Sequence, residues 1–273
     1  MTLLTFRSFL FVPGDRPDRF GKAIASGADA VVIDLEDAVA PDAKRDARNG
    51  VMNWYAEAGE SSRVGIRINS PRTREGCEDI AALAGSAIPF IMVPKTQTAA
   101  DLEIVTEAMG QSGLMAVVEC GRGLMNAAGI ARQAPAGILF GGADYSASLG
   151  AQLSDWDAML TARGMIMAAT AAAGIPAYDV PYIDVRDPDG LRETSFRALR
   201  MGFSGRACIH PEQVETVNDV FSPSKEDLED AKAIMDAIRK SDGGAVLHKG
   251  KLVDQPIVLA AERMLAKASI KGA

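Results

Sequence analysis

The sequence predicts an α/β fold, a (β/α)8 TIM barrel with a C-terminal helical and hairpin extension. Three observations lead to this prediction. Short apolar runs alternate with longer amphipathic segments, there are eight such runs over about 220 residues, and the chain has 273 residues in total. Strands that alternate with helices are typical of a parallel sheet, and a barrel of this kind takes roughly 250 residues.

The predicted strands are apolar runs rich in Val, Ile and Phe, which is the pattern of a strand buried on both faces. The clear runs are Ser8–Pro13, Ala30–Leu35, Val64–Asn69, Phe90–Pro94, Met115–Glu119 and Gly137–Phe140, and weaker runs are Ala177–Pro181 and Ala207–Ile209. A doubly wound open sheet is the alternative fold. Its nucleotide-binding form loses support because no Gly-x-Gly-x-x-Gly motif follows the first run.

The segments between these runs have apolar residues at helical spacing. The predicted helices of the barrel include Asp42–Glu57, Ala99–Met109, Asp155–Ala173 and Pro188–Met201, and Gly110, Gly174 and Gly202 end three of them. We place a catalytic barrel domain at residues 1–222 and an extension at residues 223–273. The extension reads as a helix (Lys225–Lys240), a small hairpin (Ala245–Leu252) and a final helix (Gln255–Ala268), and we expect it to act as a tail or lid.

The composition excludes several classes of function. Two histidines and three distant cysteines cannot form a cysteine-rich zinc module or a three-histidine zinc site, and they favour a reducing, cytoplasmic compartment over a disulfide framework. A net charge of −7 argues against a nucleic-acid partner. No apolar run approaches the roughly 20 residues that span a bilayer, so we expect no membrane association.

Polar side chains stand where five consecutive predicted strands end. They are Asp34, Glu36 and Asp37, then Arg67 and Asn69, then Lys95, Glu119 and Asp144. Residues two apart share one face of a strand, and in a barrel the carboxyl ends of the strands converge on the face that houses active sites. Simple solvation of strand ends is the alternative, but it gives no reason for the same placement in five successive strands.

Magnesium is the metal that such a carboxylate-rich end would bind, because Mg²⁺ prefers oxygen ligands and typically takes one or two carboxylates. Glu119 and Asp144, on adjacent strands, are the predicted ligands. Asp34, Glu36 and Asp37 either surround these ligands or compete with them, and their spacing does not decide between the two. Arg67 is either a structural counter-ion or a stabiliser of an anion that forms during the reaction.

Cations near the first strand supply a weaker signal. Arg7, Arg16, Arg19 and Lys22 are expected to cluster around the first strand-to-helix loop, either as a solvated face or as a site that captures an anionic ligand. Asn69, Lys95 and Arg122 are candidate substrate-binding residues without a unique role. We interpret His210, near the eighth strand, as a residue that fixes a loop by hydrogen bonding rather than as a base.

Motifs along nearly the whole chain resemble one known family. They are Arg7-Ser8-Phe9-Leu10-Phe11-Val12-Pro13-Gly14, Asp34-Leu35-Glu36-Asp37-Ala38-Val39, Arg67-Ile68-Asn69, Val93-Pro94-Lys95, Glu119-Cys120-Gly121-Arg122-Gly123, Gly141-Gly142-Ala143-Asp144, Gly205-Arg206-Ala207-Cys208-Ile209-His210-Pro211 and Gly250-Lys251-Leu252-Val253-Asp254-Gln255-Pro256. In this order they are similar to the citrate lyase beta-subunit-like family, which includes malyl-CoA and citramalyl-CoA lyases.

The resemblance implies a function and a set of roles. It implies a barrel that binds Mg²⁺ through Glu119 and Asp144, with Arg67 beside a reacting acyl-CoA thioester and a 2-oxo acid as the second product. It also implies that Asp254 acts as an acid or base in the active site of a neighbouring subunit, within a homotrimer or homohexamer. The expected reaction is the reversible carbon–carbon cleavage of a 3-hydroxy-acyl-CoA such as malyl-CoA, citramalyl-CoA or a citryl thioester.

Two departures from the family pattern leave the acyl substrate open. Tyr145-Ser146-Ala147-Ser148 replaces the more usual Leu-Ala-Ala-Asp, and Cys120-Gly121 replaces the usual Thr-Ala. Two other functions also remain open from the sequence. One is a Mg²⁺-dependent phosphoenolpyruvate or pyruvate enzyme that does not use CoA, and the other is a non-catalytic acyl-CoA-binding subunit of a larger complex.

Overall fold

Eight parallel strands close into a barrel, with each strand paired to the next and the eighth paired to the first. This computed structural model describes residues 5–58, 63–110, 113–240, 246–249 and 251–269. The barrel strands are β1 (Ser8–Pro13), β2 (Ala30–Asp34), β3 (Val64–Arg67), β4 (Ile91–Val93), β5 (Leu114–Val118), β6 (Gly137–Phe140), β7 (Ala177–Asp179) and β8 (Gly205–Cys208). The predicted (β/α)8 barrel is therefore confirmed.

Helices follow the barrel strands. They are α1 (Phe20–Ile24), α2 (Lys44–Ala58), α3 (Arg74–Leu83), α4 (Ala99–Met109), α5 (Gly121–Met125), α6 (Ala127–Ala131), α7 (Gly142–Leu149), α8 (Trp156–Ala173), α9 (Pro188–Met201) and α10 (Glu212–Phe221). The glycines expected to end α4, α8 and α9 are left-handed C-caps. In the part of the chain that the structure describes, every helix is too short or too polar to cross a membrane.

The chain divides into two compact units, Met1–Asn218 and Asp219–Ala273, and the division falls inside α10. The second unit contains α11 (Lys225–Lys240), an antiparallel hairpin of β9 (Val246–His248) and β10 (Lys251–Val253), and α12 (Gln255–Ser269). Ala245 and Gly250 of the predicted hairpin lie outside the described residues. The boundary after residue 222 stays a prediction.

The barrel interior is an apolar core built from alternate residues of each strand. Phe9, Val32, Phe90, Met115 and Val117 all belong to it. Because side chains alternate between the two faces of a strand, Gly65 of β3 also faces inward. A Cβ on Gly65 would lie 2.4 Å from the ring of Phe90, so the phenyl ring occupies the space that a larger residue would need. This packing fills the lower layers of the barrel and leaves its carboxyl end to other side chains.

A buried ionic cluster lies among β7, β8 and the helices outside them. Asp179, which is fully buried, accepts hydrogen bonds from Nε of Arg163 on α8 (2.9 Å) and Nη2 of Arg206 on β8 (2.7 Å). Arg206 also donates to the hydroxyl groups of Thr194 and Ser195 on α9. The cluster ties two strands to two helices, and a buried charge needs such partners to be tolerated.

Candidate active site

The inward faces of three strands end in ionisable residues. Each of these residues comes two positions after an inward-facing core residue, so Val32 is followed by Asp34, Gly65 by Arg67 and Val117 by Glu119. The period of two keeps all three side chains on the inner face, one layer above the apolar core. The strand pattern itself therefore brings a cation and two carboxylates together at the carboxyl end of the barrel.

Arg67 is held by three neighbours. Its Nε and Nη2 donate hydrogen bonds to the two carboxylate oxygens of Asp34 at 2.7 and 2.6 Å, and its Nη1 lies 3.3 Å from Oε2 of Glu36. The guanidinium carbon also lies 4.7 Å from the centre of the Phe11 ring. Burial opposes the charge, but these carboxylates outweigh it and keep the pKa of Arg67 above its ordinary value. The guanidinium is thus a fixed positive charge.

Donors within the protein fill the hydrogen-bond acceptor positions of the Asp34 carboxylate. Besides the two bonds from Arg67, it accepts hydrogen bonds from the backbone amides of Glu36 (2.9 Å) and Ala38 (3.1 Å). The side chain is almost completely buried. A carboxylate offers about four acceptor positions, so Asp34 serves to orient Arg67 rather than to compete for a metal ion.

Lys95 links two further carboxylates. Its Nζ lies 2.7 Å from Oε1 of Glu36 and 3.2 Å from Oδ1 of Asp37. Glu36 is buried, and among the described residues its two oxygens accept no well-directed hydrogen bond, so ion pairs alone stabilise its charge. Burial raises the pKa of Glu36, against the opposite effects of Arg67 and Lys95. Asp37 is exposed at the rim of the site.

The surroundings of the Glu119 carboxylate disfavour its charged form. Its Oε1 accepts a 2.5 Å hydrogen bond from the backbone amide of Lys95. Burial, together with the carboxylates of Glu36 and Asp144, raises the pKa of Glu119 to about 8, against the lowering effects of the Lys95 amide and of Arg67. A positive charge placed beside this group would favour its ionised form.

Asp144 stands in the first turn of α7, exposed, and not on a strand. The loop before it passes so close to Glu119 that a Cβ on Gly141 would lie 2.4 Å from Cβ and 2.7 Å from Oε2 of Glu119. Only glycine allows this approach. Gly141 therefore lets the segment that leads to Asp144 pass close to Glu119. The charges of these two predicted metal ligands interact.

These residues fit a magnesium ion. The buried carboxylate of Glu119 is destabilised by two neighbouring carboxylates, and the two oxygens of Glu36 are not satisfied by directed hydrogen bonds. Within the described ranges, no three His, Cys, Asp or Glu side chains surround a common point. An ion here would be held by Glu119 and Asp144 and would keep positions for water and substrate, which suits Mg²⁺.

Asn69 lies beside the site, but its polar atoms serve the fold. Its Nδ2 donates to the carbonyl of Leu35 and to Oδ2 of Asp79, each at 2.8 Å, and its Oδ1 accepts from Nζ of Lys44 at 2.7 Å. Lys44 also binds the carbonyl oxygen of Glu36 at 2.8 Å. Sequence reasoning missed Lys44 and Asp79. An aspartate on the buried stripe of α3 was the signal that would have found the second one.

The other predicted residues are more dispersed. Arg122 on α5 is exposed, with Nη1 3.4 Å from Oε1 of Gln97, and Arg16 pairs with Asp18 at 2.8 Å. The prediction that Arg7 joins the basic cluster of the first loop is wrong. Arg7 pairs with Asp29 at 2.6 Å, and the length of β1 separates it from that loop.

Asp254 and His210 have defined local roles. In the second unit, Asp254 is exposed, and its carbonyl oxygen accepts hydrogen bonds from the amides of Ile257 and Val258 at the start of α12. In the first unit, Nδ1 of His210 accepts a 3.3 Å hydrogen bond from the amide of Glu212 at the start of α10.

A sequence model of the HpcH/HpaI aldolase/citrate lyase family matches residues 7–211, which include the whole barrel-end site. The chain belongs to this family. Relatives of this chain include proteins named citrate lyase subunit beta and L-malyl-CoA/beta-methylmalyl-CoA lyase, which confirms the prediction of a lyase-type enzyme.

Two curated relatives cover almost the full chain. A citrate lyase subunit beta-like protein of Mycobacterium tuberculosis is 38% identical over 267 residues, which cover 95% of this chain and 94% of the relative. A (3S)-malyl-CoA thioesterase of Cereibacter sphaeroides is 37% identical over 270 residues, which cover 96% of this chain and 94% of the relative. The predicted resemblance to citrate lyase beta-like proteins is confirmed.

A solved structure of the CitE protein from Mycobacterium tuberculosis superposes on the chain with a TM-score of 0.82. The two are 36% identical, and the match covers 97% of this chain and 98% of that one. That structure contains magnesium, acetoacetate and coenzyme A. A homologue in this family therefore binds the predicted metal together with coenzyme A and an oxo acid.

Proposed function

We propose that this chain is a Mg²⁺-dependent lyase that reversibly cleaves a 3-hydroxy-acyl-CoA, such as malyl-CoA, citramalyl-CoA or a citryl thioester, into an acyl-CoA and a 2-oxo acid. The observation that carries the proposal is the fixed guanidinium of Arg67, whose charge interacts with the buried carboxylate of Glu119. A site that cleaves the carbon–carbon bond of a 3-hydroxy-acyl-CoA needs a cation for the anionic fragment and oxygen ligands for a metal ion, and both are present.

The chemistry assigns a task to each group. The bond between C2 and C3 breaks, the 3-hydroxyl gives its proton to solvent water and becomes the oxo group, and the electron pair of the broken bond moves onto the thioester as an enolate. Glu119 and Asp144 would hold Mg²⁺, which when bound supplies Lewis-acid polarisation of the hydroxyl or oxo oxygen. Arg67 donates hydrogen bonds to the enolate oxygen from a preorganised position.

Protonation completes the reaction. The enolate takes up a proton at C2 to give the acyl-CoA, and we assign Asp254 as the acid that delivers it, or as the base in the reverse direction. The proposal includes a homotrimer or homohexamer in which a neighbouring subunit brings Asp254 to the site, and a cytoplasmic location, which the few distant cysteines favour. Lys95, Asp37, Arg122 and Arg16 are proposed to contact the anionic substrate.

The direct test is an assay of the purified chain with each of the three thioesters, with Mg²⁺ or with a chelator, followed by mass spectrometry of the products. We expect Mg²⁺-dependent release of a 2-oxo acid and an acyl-CoA, and its loss in Glu119→Gln and Asp144→Asn. Asp254→Asn should bind acyl-CoA but turn over slowly. Arg74→Ala, an exposed change on α3, is the matched control. Full activity in Glu119→Gln would rule out the metal assignment.

Thioester hydrolysis is a second candidate, because one relative is a malyl-CoA thioesterase. The same assay separates the two reactions, since hydrolysis yields free CoA and the intact hydroxy acid, whereas cleavage yields acyl-CoA and a 2-oxo acid. Thermal-shift measurements with CoA, acetyl-CoA and pyruvate, each with and without Mg²⁺, test the two alternatives left open by the sequence. A pyruvate-type enzyme would respond to pyruvate and not to CoA, and a non-catalytic subunit would bind CoA without turnover.

A further inference from the structure

Lys95 has an unusual backbone conformation for its residue type. Its φ is 50°, and among the described residues only Lys95 and Lys249 have positive φ without being glycine. Glycine adopts this left-handed region at no steric cost, whereas a residue with a Cβ adopts it at the cost of steric strain. A strained backbone of this kind persists only where the surrounding contacts fix it, so the contacts of Lys95 indicate what the strain achieves.

The backbone amide of Lys95 is directed at one oxygen of Glu119. It donates to Oε1, while Oε2 lies next to Gly141, at the entry to the helix that carries Asp144. The left-handed turn therefore gives the two oxygens of one carboxylate different surroundings. Oε1 is held on the β4 side, and Oε2 is left to face the α7 side.

The side chain of Lys95 supplies a reason for lysine instead of glycine. Its ammonium group pairs with the buried Glu36 and with Asp37, so the strained residue is anchored at both its backbone and its side chain. Without Lys95, the 3.3 Å contact with Arg67 would be the one ion pair left to the buried carboxylate of Glu36 among the described residues. A glycine would adopt the turn easily but would not be held in it.

We propose that Lys95 is a positioning residue that presents Oε2 of Glu119 to the magnesium ion, with its ammonium–Glu36 pair holding the strained turn in place. This inference rests on the proposed function, since it takes Glu119 as a metal ligand. Lys95 acts through Glu119 and not on the metal, in the way that groups behind metal ligands orient those ligands and set affinity.

The test is the Mg²⁺ dissociation constant measured by isothermal titration calorimetry on the full chain, which does not depend on turnover. Lys95→Gly and Lys95→Ala should each weaken Mg²⁺ binding about tenfold or more, the range typical for a lost supporting contact. Lys95→Arg keeps a cation within reach of Glu36 and should stay within about threefold of the original chain, by the same comparison. Lys95→Gly also relieves the backbone strain, so it is the variant expected to fold best, and Arg74→Ala is the control.

The possible results distinguish a failure of the positioning role of Lys95 from a failure of the proposed metal site. Unchanged Mg²⁺ affinity in Lys95→Gly and Lys95→Ala overturns the positioning role while the metal site stands. A Lys95→Arg variant as weak as Lys95→Ala overturns the claim that the ammonium pair holds the turn. If the original chain binds no Mg²⁺, or Glu119→Gln binds it equally well, the metal assignment fails and the inference fails with it.

Discussion

Arg67 binds both oxygens of Asp34 at once, with Nε 2.7 Å from Oδ1 and Nη2 2.6 Å from Oδ2. The two residues are register partners on adjacent strands β3 and β2. The pair is fixed by strand pairing, and Phe11 and Glu36 restrict the guanidinium from other directions. This arrangement makes Arg67 both a structural element and the proposed anion stabiliser, and the two roles can be measured separately.

Removal of Arg67 should destabilise the fold. Arg67→Ala leaves the buried carboxylate of Asp34 without its cation and removes one of the two cations that contact Glu36. Breaking a buried pair from one side typically costs about 3–5 kcal/mol. Asp34→Asn in the same chain removes one of the stranded charges, so the double variant should be destabilised by less than the sum of the two single changes. Denaturant unfolding of all four chains measures this coupling. Strictly additive free energies of unfolding would contradict the pairing.

A test of the proposed catalytic role of Arg67 needs a variant that keeps the charge. Arg67→Lys retains a cation but loses the planar two-point hydrogen bonding. We expect kcat to fall about 100-fold or more, as when an oriented donor to a developing oxyanion is lost, while the Mg²⁺ dissociation constant changes little. A kcat close to that of the original chain would show that charge alone suffices at this position.

Asp179 should be a stability determinant without a role in the reaction. Asp179→Asn leaves two buried arginines, Arg163 and Arg206, without their shared carboxylate, and we expect a loss of about 3–5 kcal/mol in the free energy of unfolding. Asp157→Asn is the matched control, because that aspartate is exposed and lies 3.7 Å from Arg197. The control should change stability by less than about 0.5 kcal/mol. Equal effects of the two changes would refute the role of the buried cluster.

The stability of metal-free protein should depend on pH through Glu119. The folded state raises the pKa of this carboxyl from 4.5 to about 8, so between these values the folded chain holds a proton that the unfolded chain has released. Stability from this group is therefore present at low pH and lost as pH rises towards 8, by up to about 1.4 kcal/mol per pH unit. Unfolding in EDTA from pH 5 to 9 should show a smaller decline for Glu119→Gln. Parallel curves for the two chains would contradict the shifted pKa.

Much of the fold was predictable because strand burial has a local signature. The run Ser8–Pro13 and the helices Ala99–Met109 and Pro188–Met201 coincide with β1, α4 and α9. Helix α3 is not among the helices named from the sequence, and it carries the charged Asp79 on its buried side. That charge is tolerated only because Arg48 and Asn69, distant in sequence, meet it in the fold.

The sequence by itself predicted the alternation of eight strands with helices and the collection of ionisable residues at the strand ends, because both follow from short-range periodicity. Only the tertiary structure decided which contacts each of those residues makes. Asp34 accepts two hydrogen bonds from Arg67, and Asn69 donates one to Asp79. Arg7 pairs with Asp29 instead of joining the first loop, and Lys95 adopts a strained turn that holds one oxygen of Glu119. Hydrogen-bond direction and burial depend on neighbours far away in the chain, so residue type and spacing do not encode them locally.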